Sequence, residues 1–319
     1  MKNFWKKLPK PFFTLAPMAD VTDAAFRYII CKYGKPDVTW TEFVSADGLS
    51  SPGREVLKNN LIYTKAERPI VAQLFSSHPE KMREAAKLVA EMGFDGIDIN
   101  MGCPDKSIEK QGAGAAMMKN MKVSGEVIQA AKDGIKDAKK SIPVSVKTRI
   151  GYNKNQINEW IPFLLSQNID ALTIHARTRK EMSLVPARWE HVKEVVEIRN
   201  KMGVKTKIIG NGDVESLEQG RKLAKETGCD GIMIGRGVFG NPWLFSEKIP
   251  TIKEKLKVLV EHTKLFEKIL GKYKNFAVMK KHYKAYVNGF DGAKELRVKL
   301  METKSASEVE YIIKDFLKK

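Results

Sequence analysis

Short apolar runs alternate with longer amphipathic stretches along roughly the first three-quarters of the chain. Eight of the runs read as buried strands: residues 12–17, 38–42, 70–74, 96–100, 144–148, 171–175, 207–211 and 231–235. Between them, residues 79–92 place apolar side chains at helical spacing, with Pro79 suited to a first helical turn. Residues 216–227 do the same and stop at Gly228, a normal helix end. Residues 158–167 form a shorter segment of the same kind. Eight strands alternating with helices predict a (β/α)8 barrel, an α/β fold. A doubly wound sheet would carry Gly-x-Gly-x-x-Gly after its first strand. Here that strand runs into Pro17-Met18-Ala19-Asp20 instead. Residues 50–65 and 176–190 lack a strong period and are expected as loops over the barrel mouth.

Strand-like runs stop near Glu247. Residues 251–269, 276–288, 293–301 and 307–318 read as helices. The expected division is a barrel over 1–246 and a small, basic, all-helical domain over 247–319. The alternative is that these helices simply complete the barrel. Residues 246–319 hold 18 Lys/Arg against 10 Asp/Glu, a net +8. The whole chain has 56 basic and 38 acidic residues, a net +18. Such an excess points to a polyanionic partner such as nucleic acid, or else to a lysine-rich solvated surface.

No stretch approaches the roughly 18 unbroken apolar residues of a membrane span. The basic start, Met1 to Lys7, has no apolar segment behind it and is not a secretory signal. The three cysteines, Cys31, Cys103 and Cys229, lie far apart with no metal-ligand spacing. A metal-free, cytoplasmic, monomeric protein with reduced thiols and no membrane partner is the expectation.

In a barrel, chemistry belongs to the carboxyl ends of the strands. Those ends carry Pro17 and Met18, Glu42, Gln73, Asn100 with Cys103, Lys147, His175, Asn211, and Gly235 with Arg236. Cys103, between Gly102 and Pro104, is either a small buried hydrophobe or a thiol aimed into the space above the sheet. Lys147 ends a buried-strand pattern and needs an electron-rich partner. A Schiff base, a cation against a cofactor ring, and a snorkelling side chain all remain open. Arg177 and Arg179 follow His175 at i, i+2 spacing on one side of an extended segment, which suits a phosphate or nucleic-acid backbone. Asn211-Gly212-Asp213 and Gly235-Arg236-Gly237 follow the last two strands, where barrels bind phosphate. Gly112-Ala113-Gly114-Ala115 lacks a phosphate-loop lysine and reads as a close-packing loop beside Cys103.

With these residues the chain resembles the tRNA-dihydrouridine synthase family over nearly its whole length. The resemblance is carried by residues 15–23, Thr41-Glu42-Phe43, Asp98-Ile99-Asn100-Met101-Gly102-Cys103-Pro104 and Lys110-Gln111-Gly112-Ala113-Gly114-Ala115. It continues in Val146-Lys147-Thr148-Arg149, residues 175–179, Gly210-Asn211-Gly212-Asp213 and Gly235-Arg236-Gly237. In the tail, Met279-Lys280-Lys281-His282-Tyr283 and Glu295-Leu296-Arg297 resemble the family's helical RNA-binding domain. The chain departs from the family pattern over 181–189, reading Met182-Ser183 and Ala187-Arg188-Trp189.

The resemblance implies an FMN-dependent enzyme that reduces the C5=C6 bond of uridines in tRNA with NADPH or NADH. It implies that Pro17 and Met18 place backbone at the flavin ring, and that Gln73, Lys147 and His175 contact the flavin. Asn211, Gly212, Asp213, Gly235 and Arg236 would hold its ribityl chain and phosphate. Cys103 would donate a proton to C5, opposite the hydride delivered to C6. Lys147 would stabilise negative charge. Asn100 would bond the uracil edge, and Arg177 or Arg179 would grip the RNA backbone. The alternative is an FMN-dependent oxidoreductase of small pyrimidines, of the dihydroorotate dehydrogenase type.

Overall fold

The computed structural model describes residues 3–318. All eight expected strands are present. They are β1 (Phe12–Leu15), β2 (Thr39–Ser45), β3 (Ile70–Phe75), β4 (Gly96–Met101), β5 (Val144–Arg149), β6 (Ala171–His175), β7 (Lys207–Asn211) and β8 (Gly231–Ile234). Every ladder is parallel, and the order is β1-β8-β7-β6-β5-β4-β3-β2. The β1–β2 seam closes through one parallel bridge, Thr14 to Val38, with the Leu15 N–H on the Val38 carbonyl at 3.2 Å. The sheet is therefore a barrel whose strands all point their carboxyl ends the same way.

Six helices surround it: α1 (Ala24–Tyr33), α2 (Pro79–Glu91), α3 (Met121–Asp137), α4 (Ile157–Ser166), α5 (Glu190–Lys201) and α6 (Leu217–Thr227). Local chemistry sets their ends. Asp23 caps α1 through the Phe26 N–H at 2.9 Å, and Ser216 caps α6 through the Gln219 N–H. Gly228, at φ 73°, ends α6 in the left-handed region. The strand–helix interface forms the main apolar core, with fully buried Leu15, Ile99, Val146, Leu172 and Ile232.

Residues 50–65 are not a lid over the mouth. They run through short turns of helix, Arg54–Leu57 and Lys58–Leu61, where a barrel helix would lie between β2 and β3. Burial against α1 and α2 accounts for this. The Tyr63 hydroxyl donates to the Met92 carbonyl, and Arg27 of α1 reaches the Ile62 carbonyl at 2.5 Å. Arg27 also donates to Glu67 at 2.6 Å and to the Thr22 carbonyl at 2.7 Å, and both charged side chains are fully buried.

The tail forms α7 (Ile252–Leu270), α8 (Lys280–Tyr286), α9 (Ala293–Glu302) and α10 (Ala306–Phe316). Thr251 and Glu254 make a capping box at the start of α7. These helices share a second apolar cluster with Ala25 and Ile29 on the outer face of α1 and with Trp243. Within Met279–Tyr283, Met279, His282 and Tyr283 are buried, while Lys281 is exposed. His262 and His282 lie ring to ring at 4.8 Å beside Phe26, and burial holds both imidazoles neutral. Among the described residues no helix is long and apolar enough to cross a membrane.

Replacing Glu67 with Gln leaves the Arg27 charge buried without a counter-ion. Urea unfolding is expected to show a loss of about 3–5 kcal/mol.

Candidate active site

The register of the parallel strands assembles one polar row inside the carboxyl end of the barrel. Gln73 on β3 lies opposite Asp98 on β4, and Asp98 lies opposite Ser145 on β5. Asn100 faces Lys147, Arg149 faces His175, and His175 faces Asn211. Above this row is a cavity of about 700 Å³. Its walls include Pro17, Met18, Lys147, His175, Asn211, Gly212, Asp213, Gly235 and Arg236. A smaller cavity of about 140 Å³ adjoins it, bounded by Gln73, Asn100 and Cys103 and by Pro17, Lys147, Arg149 and His175 in common with the first. Every expected cofactor-contacting residue thus borders one of two cavities with a common wall, and Cys103 borders the smaller.

Cys103 is half-buried. Its N–H donates to Asn100 Oδ1 at 2.9 Å, as does that of Gly102 at 3.1 Å. The Cys103 carbonyl accepts the Ala115 N–H at 2.9 Å. Gly114 makes that approach possible: it adopts φ 61°, and a Cβ there would lie 2.8 Å from the Cys103 carbonyl oxygen. The glycine-rich loop is therefore the packing surface behind the cysteine. Burial pushes the Cys103 thiol above its ordinary pKa, against the pull of Lys147 and Arg149. It keeps its proton at neutral pH.

The Lys147 ammonium has no hydrogen-bond or ion-pair partner among the described residues, although it borders both cavities. Burial and the nearby Arg149 push its pKa down to about 8, while Asp98 opposes the shift. Burial, with Arg149, Lys147 and Arg177 around it, holds His175 neutral. Its Nε2 accepts from Arg177 at 3.2 Å, which places the ring proton on Nδ1.

Arg177 and Arg179, expected from their spacing to grip an RNA backbone, are both engaged by partners within the chain. Arg177 is 2 % exposed, and its guanidinium is engaged by His175, the Val185 carbonyl at 2.5 Å and the Asp213 carboxylate. Arg179 pairs with Glu109 and covers the Tyr152 ring at 5.1 Å. In both cases the carboxylate that claims the guanidinium comes from an element distant in sequence. The segment 176–189 does lie at the mouth. Ala187 packs on Gly212, the Trp189 indole N–H donates to the Gly212 carbonyl at 3.0 Å, and Ser183 borders the large cavity.

Asp213 joins the loops after β6, β7 and β8. It accepts from Arg177, from the Ala187 N–H at 2.9 Å and from Arg236 at 2.7 Å. Burial raises its pKa, but these donors outweigh burial and hold the carboxyl below its usual range.

Residues 14–319 match the dihydrouridine synthase (Dus) family. The chain belongs to the dihydrouridine synthase family. It is 42% identical over 324 residues to a probable tRNA-dihydrouridine synthase 2 of Bacillus subtilis, covering 100% of this chain and 98% of that one. It is 41% identical to a probable tRNA-dihydrouridine synthase of Staphylococcus aureus, covering 99% and 96%. Among solved structures, histamine dehydrogenase from Rhizobium sp. 4-9 superposes with TM-score 0.52 at 14% identity, over 79% of this chain and 48% of that one. A 2-naphthoyl-CoA reductase superposes with TM-score 0.51 at 12% identity, over 74% and 49%. The chain spans about half of each of those two, and they share the fold.

For this dihydrouridine synthase family member the structure adds Arg149 to the site. A strand predicted over 144–148 leaves it out, whereas the observed β5 runs to Arg149, two residues beyond Lys147 on the same face. Arg149 borders both cavities. It ties the cysteine loop to the mouth segment, donating to the Gly102 carbonyl at 2.9 Å and to the Thr178 and Met182 carbonyls at 3.1 and 2.9 Å. The tail also reaches the barrel end: the Lys274 ammonium lies 2.8 Å from both Glu42 oxygens, and Glu42 accepts the Asp20 N–H at 2.6 Å.

Replacing Gly114 with Ala forces a Cβ into the left-handed region and against the Cys103 carbonyl. A loss of about 1–3 kcal/mol is expected in thermal unfolding, accompanied by a changed rate of Cys103 alkylation.

Proposed function

We propose that this protein is a cytoplasmic tRNA-dihydrouridine synthase that holds FMN in the larger cavity and receives a uridine base in the smaller one. The observation that carries the reading is that the two cavities share a wall of Pro17, Lys147, Arg149 and His175, with the Cys103 thiol on one side and the unpartnered Lys147 ammonium common to both. The names of the relatives in Bacillus and Staphylococcus supply tRNA as the substrate class. The net +18 charge and the basic tail fit a polyanion of that kind. We assign residues 1–246 to the catalytic unit and 247–319 to tRNA binding.

The residues fit the flavin. Lys147 brings an uncompensated cation to an electron-rich ring. Gly235 lies on the wall of the same cavity beside Met18 and Ala16. Arg236 is two-thirds exposed, and its cation at the β8 end suits a phosphate. Asn211, Gly212 and Asp213 line the cavity beside it. When bound, FMN reduced by NADPH or NADH supplies the hydride for C6 of the uracil. Cys103 donates its proton to C5 from the opposite side, and the raised thiol pKa keeps that proton available at neutral pH. Asn100 uses one of its two amide hydrogens on Gln73 and has the other for the uracil edge. Arg177 acts as a positioning residue for His175 and Asp213 rather than as an RNA contact.

The deciding experiment supplies purified protein with FMN, NADPH and unmodified tRNA and reads dihydrouridine by nucleoside mass spectrometry. Product from tRNA and none from free pyrimidines is expected; the reverse would favour a small-molecule pyrimidine oxidoreductase. Cys103→Ala is expected to oxidise NADPH normally yet form dihydrouridine ~10²–10⁴-fold more slowly. Full activity on tRNA in that variant ends the proton-donor role.

Flavin binding should also depend on pH. The Lys147 cation is present below about pH 8 and lost above it. Affinity measured by flavin fluorescence quenching is expected to be level below that value and to fall above it. Lys147→Met is expected to bind more weakly throughout, without that fall.

A further inference from the structure

Asp98 borders neither cavity, yet it lies at the centre of the polar row. We infer that Asp98 is a positioning residue that fixes which way round the Gln73 and Asn100 amides sit and, through them, where the Cys103 loop lies. Only its catalytic consequence rests on the proton-donor reading above.

Asp98 is fully buried. One carboxylate oxygen accepts the Gln73 amide NH2 at 2.6 Å, and the other accepts the Ser145 hydroxyl at 2.6 Å. An ionised carboxylate has acceptors only, so Gln73 can turn only its NH2 toward it. The Gln73 carbonyl therefore faces Asn100, whose NH2 donates to it at 3.1 Å. Asn100 then has its carbonyl free for the loop, where it accepts the Gly102 and Cys103 N–H groups at 3.1 and 2.9 Å. An amide has nearly the same shape either way round, so steric fit cannot choose between the two orientations. The chemistry of the partners does: Asp98 can only accept at one end of the relay, and the Gly102 and Cys103 N–H groups can only donate at the other. Reversing Asn100 would set its NH2 against two backbone donors and release the loop from both bonds. Burial pushes the Asp98 carboxyl up to about 6, with Gln73, Ser145 and Lys147 opposing, so it stays ionised at neutral pH.

The test alkylates the full-length protein with iodoacetamide and follows Cys103 by peptide mass spectrometry. Dihydrouridine formation is measured in parallel on the FMN-loaded enzyme. In Asp98→Asn the carboxamide accepts either orientation of Gln73. Cys103 alkylation is expected to rise several-fold, and dihydrouridine formation to fall ~100-fold, as expected for a misplaced reacting group. Ser145→Ala removes a bond of similar burial from the same carboxylate but leaves the relay intact. It is expected to change both readouts far less than Asp98→Asn does. Gln73→Leu cuts the relay one step later and is expected to raise alkylation as Asp98→Asn does. Combining the two should add nothing further. Unchanged alkylation in a folded Asp98→Asn protein overturns the inference, as do equal effects of Asp98→Asn and Ser145→Ala. If Asp98→Asn does not fold, unchanged alkylation in Gln73→Leu overturns it. If the variants show these alkylation differences but the wild type makes no dihydrouridine, the proposed function is refuted and the relay stands.

Discussion

The parallel register from β3 to β7 is the constraint on which the site depends. It sets Gln73, Asp98 and Ser145 side by side, and Asn100 beside Lys147, within a barrel interior where each polar group needs a partner. Most find one in the row itself. Asp98, Gln73 and Asn100 are linked through hydrogen bonds of 2.6 and 3.1 Å. A fully satisfied buried network is rigid, because moving one member leaves another unpaired. The rigidity extends to the Cys103 loop, since its backbone N–H groups end the chain of bonds.

The charges in this interior are unevenly balanced. Lys147, Arg149, Arg177 and Arg236 gather around the larger cavity, and Asp213 is the acidic group that meets two of them. Arg149 and Arg177 are occupied by carbonyls and by His175, and they hold the mouth in shape. Lys147 is buried with no direct partner and feels repulsion from Arg149; burial first, and that repulsion second, lower its pKa. An anionic or electron-rich ligand relieves that repulsion. The arrangement that sets these cations against one another thus favours such a ligand within the cavity.

The tail is attached by two kinds of contact. Its apolar cluster includes Ala25 and Ile29 on α1, so part of its core belongs to the barrel. Lys274 then reaches Glu42 at the carboxyl end of β2, and Glu42 accepts the N–H of Asp20 in the loop that follows Pro17 and Met18. The tail is therefore bonded to the segment that borders the larger cavity. The tail, with +8 of the chain's net +18, and the walls of the cavity are parts of one packed structure.

Eight strands, a helical tail and a cluster of strand-end residues were legible in the sequence, because period-two and helical patterns are local properties of the chain. The loop role of Gly112–Ala115 was legible too, since glycine in that spacing implies close approach. By contrast, residues 50–65 looked like a lid, because short turns of helix carry too few residues to show a period. Arg177 and Arg179 looked like a phosphate clamp, because their spacing says nothing of Asp213 and Glu109, which arrive from other elements. Arg149 and Asp98 were visible only as parts of motifs, and the expected strand stopped one residue short of Arg149. The sequence by itself determined where the strands end and which reactive side chains stand there. Which of those side chains are free for chemistry and which are held by partners was decided only by the tertiary structure. A buried arginine or amide takes its role from hydrogen bonds across the register, and that pairing joins residues far apart in the chain.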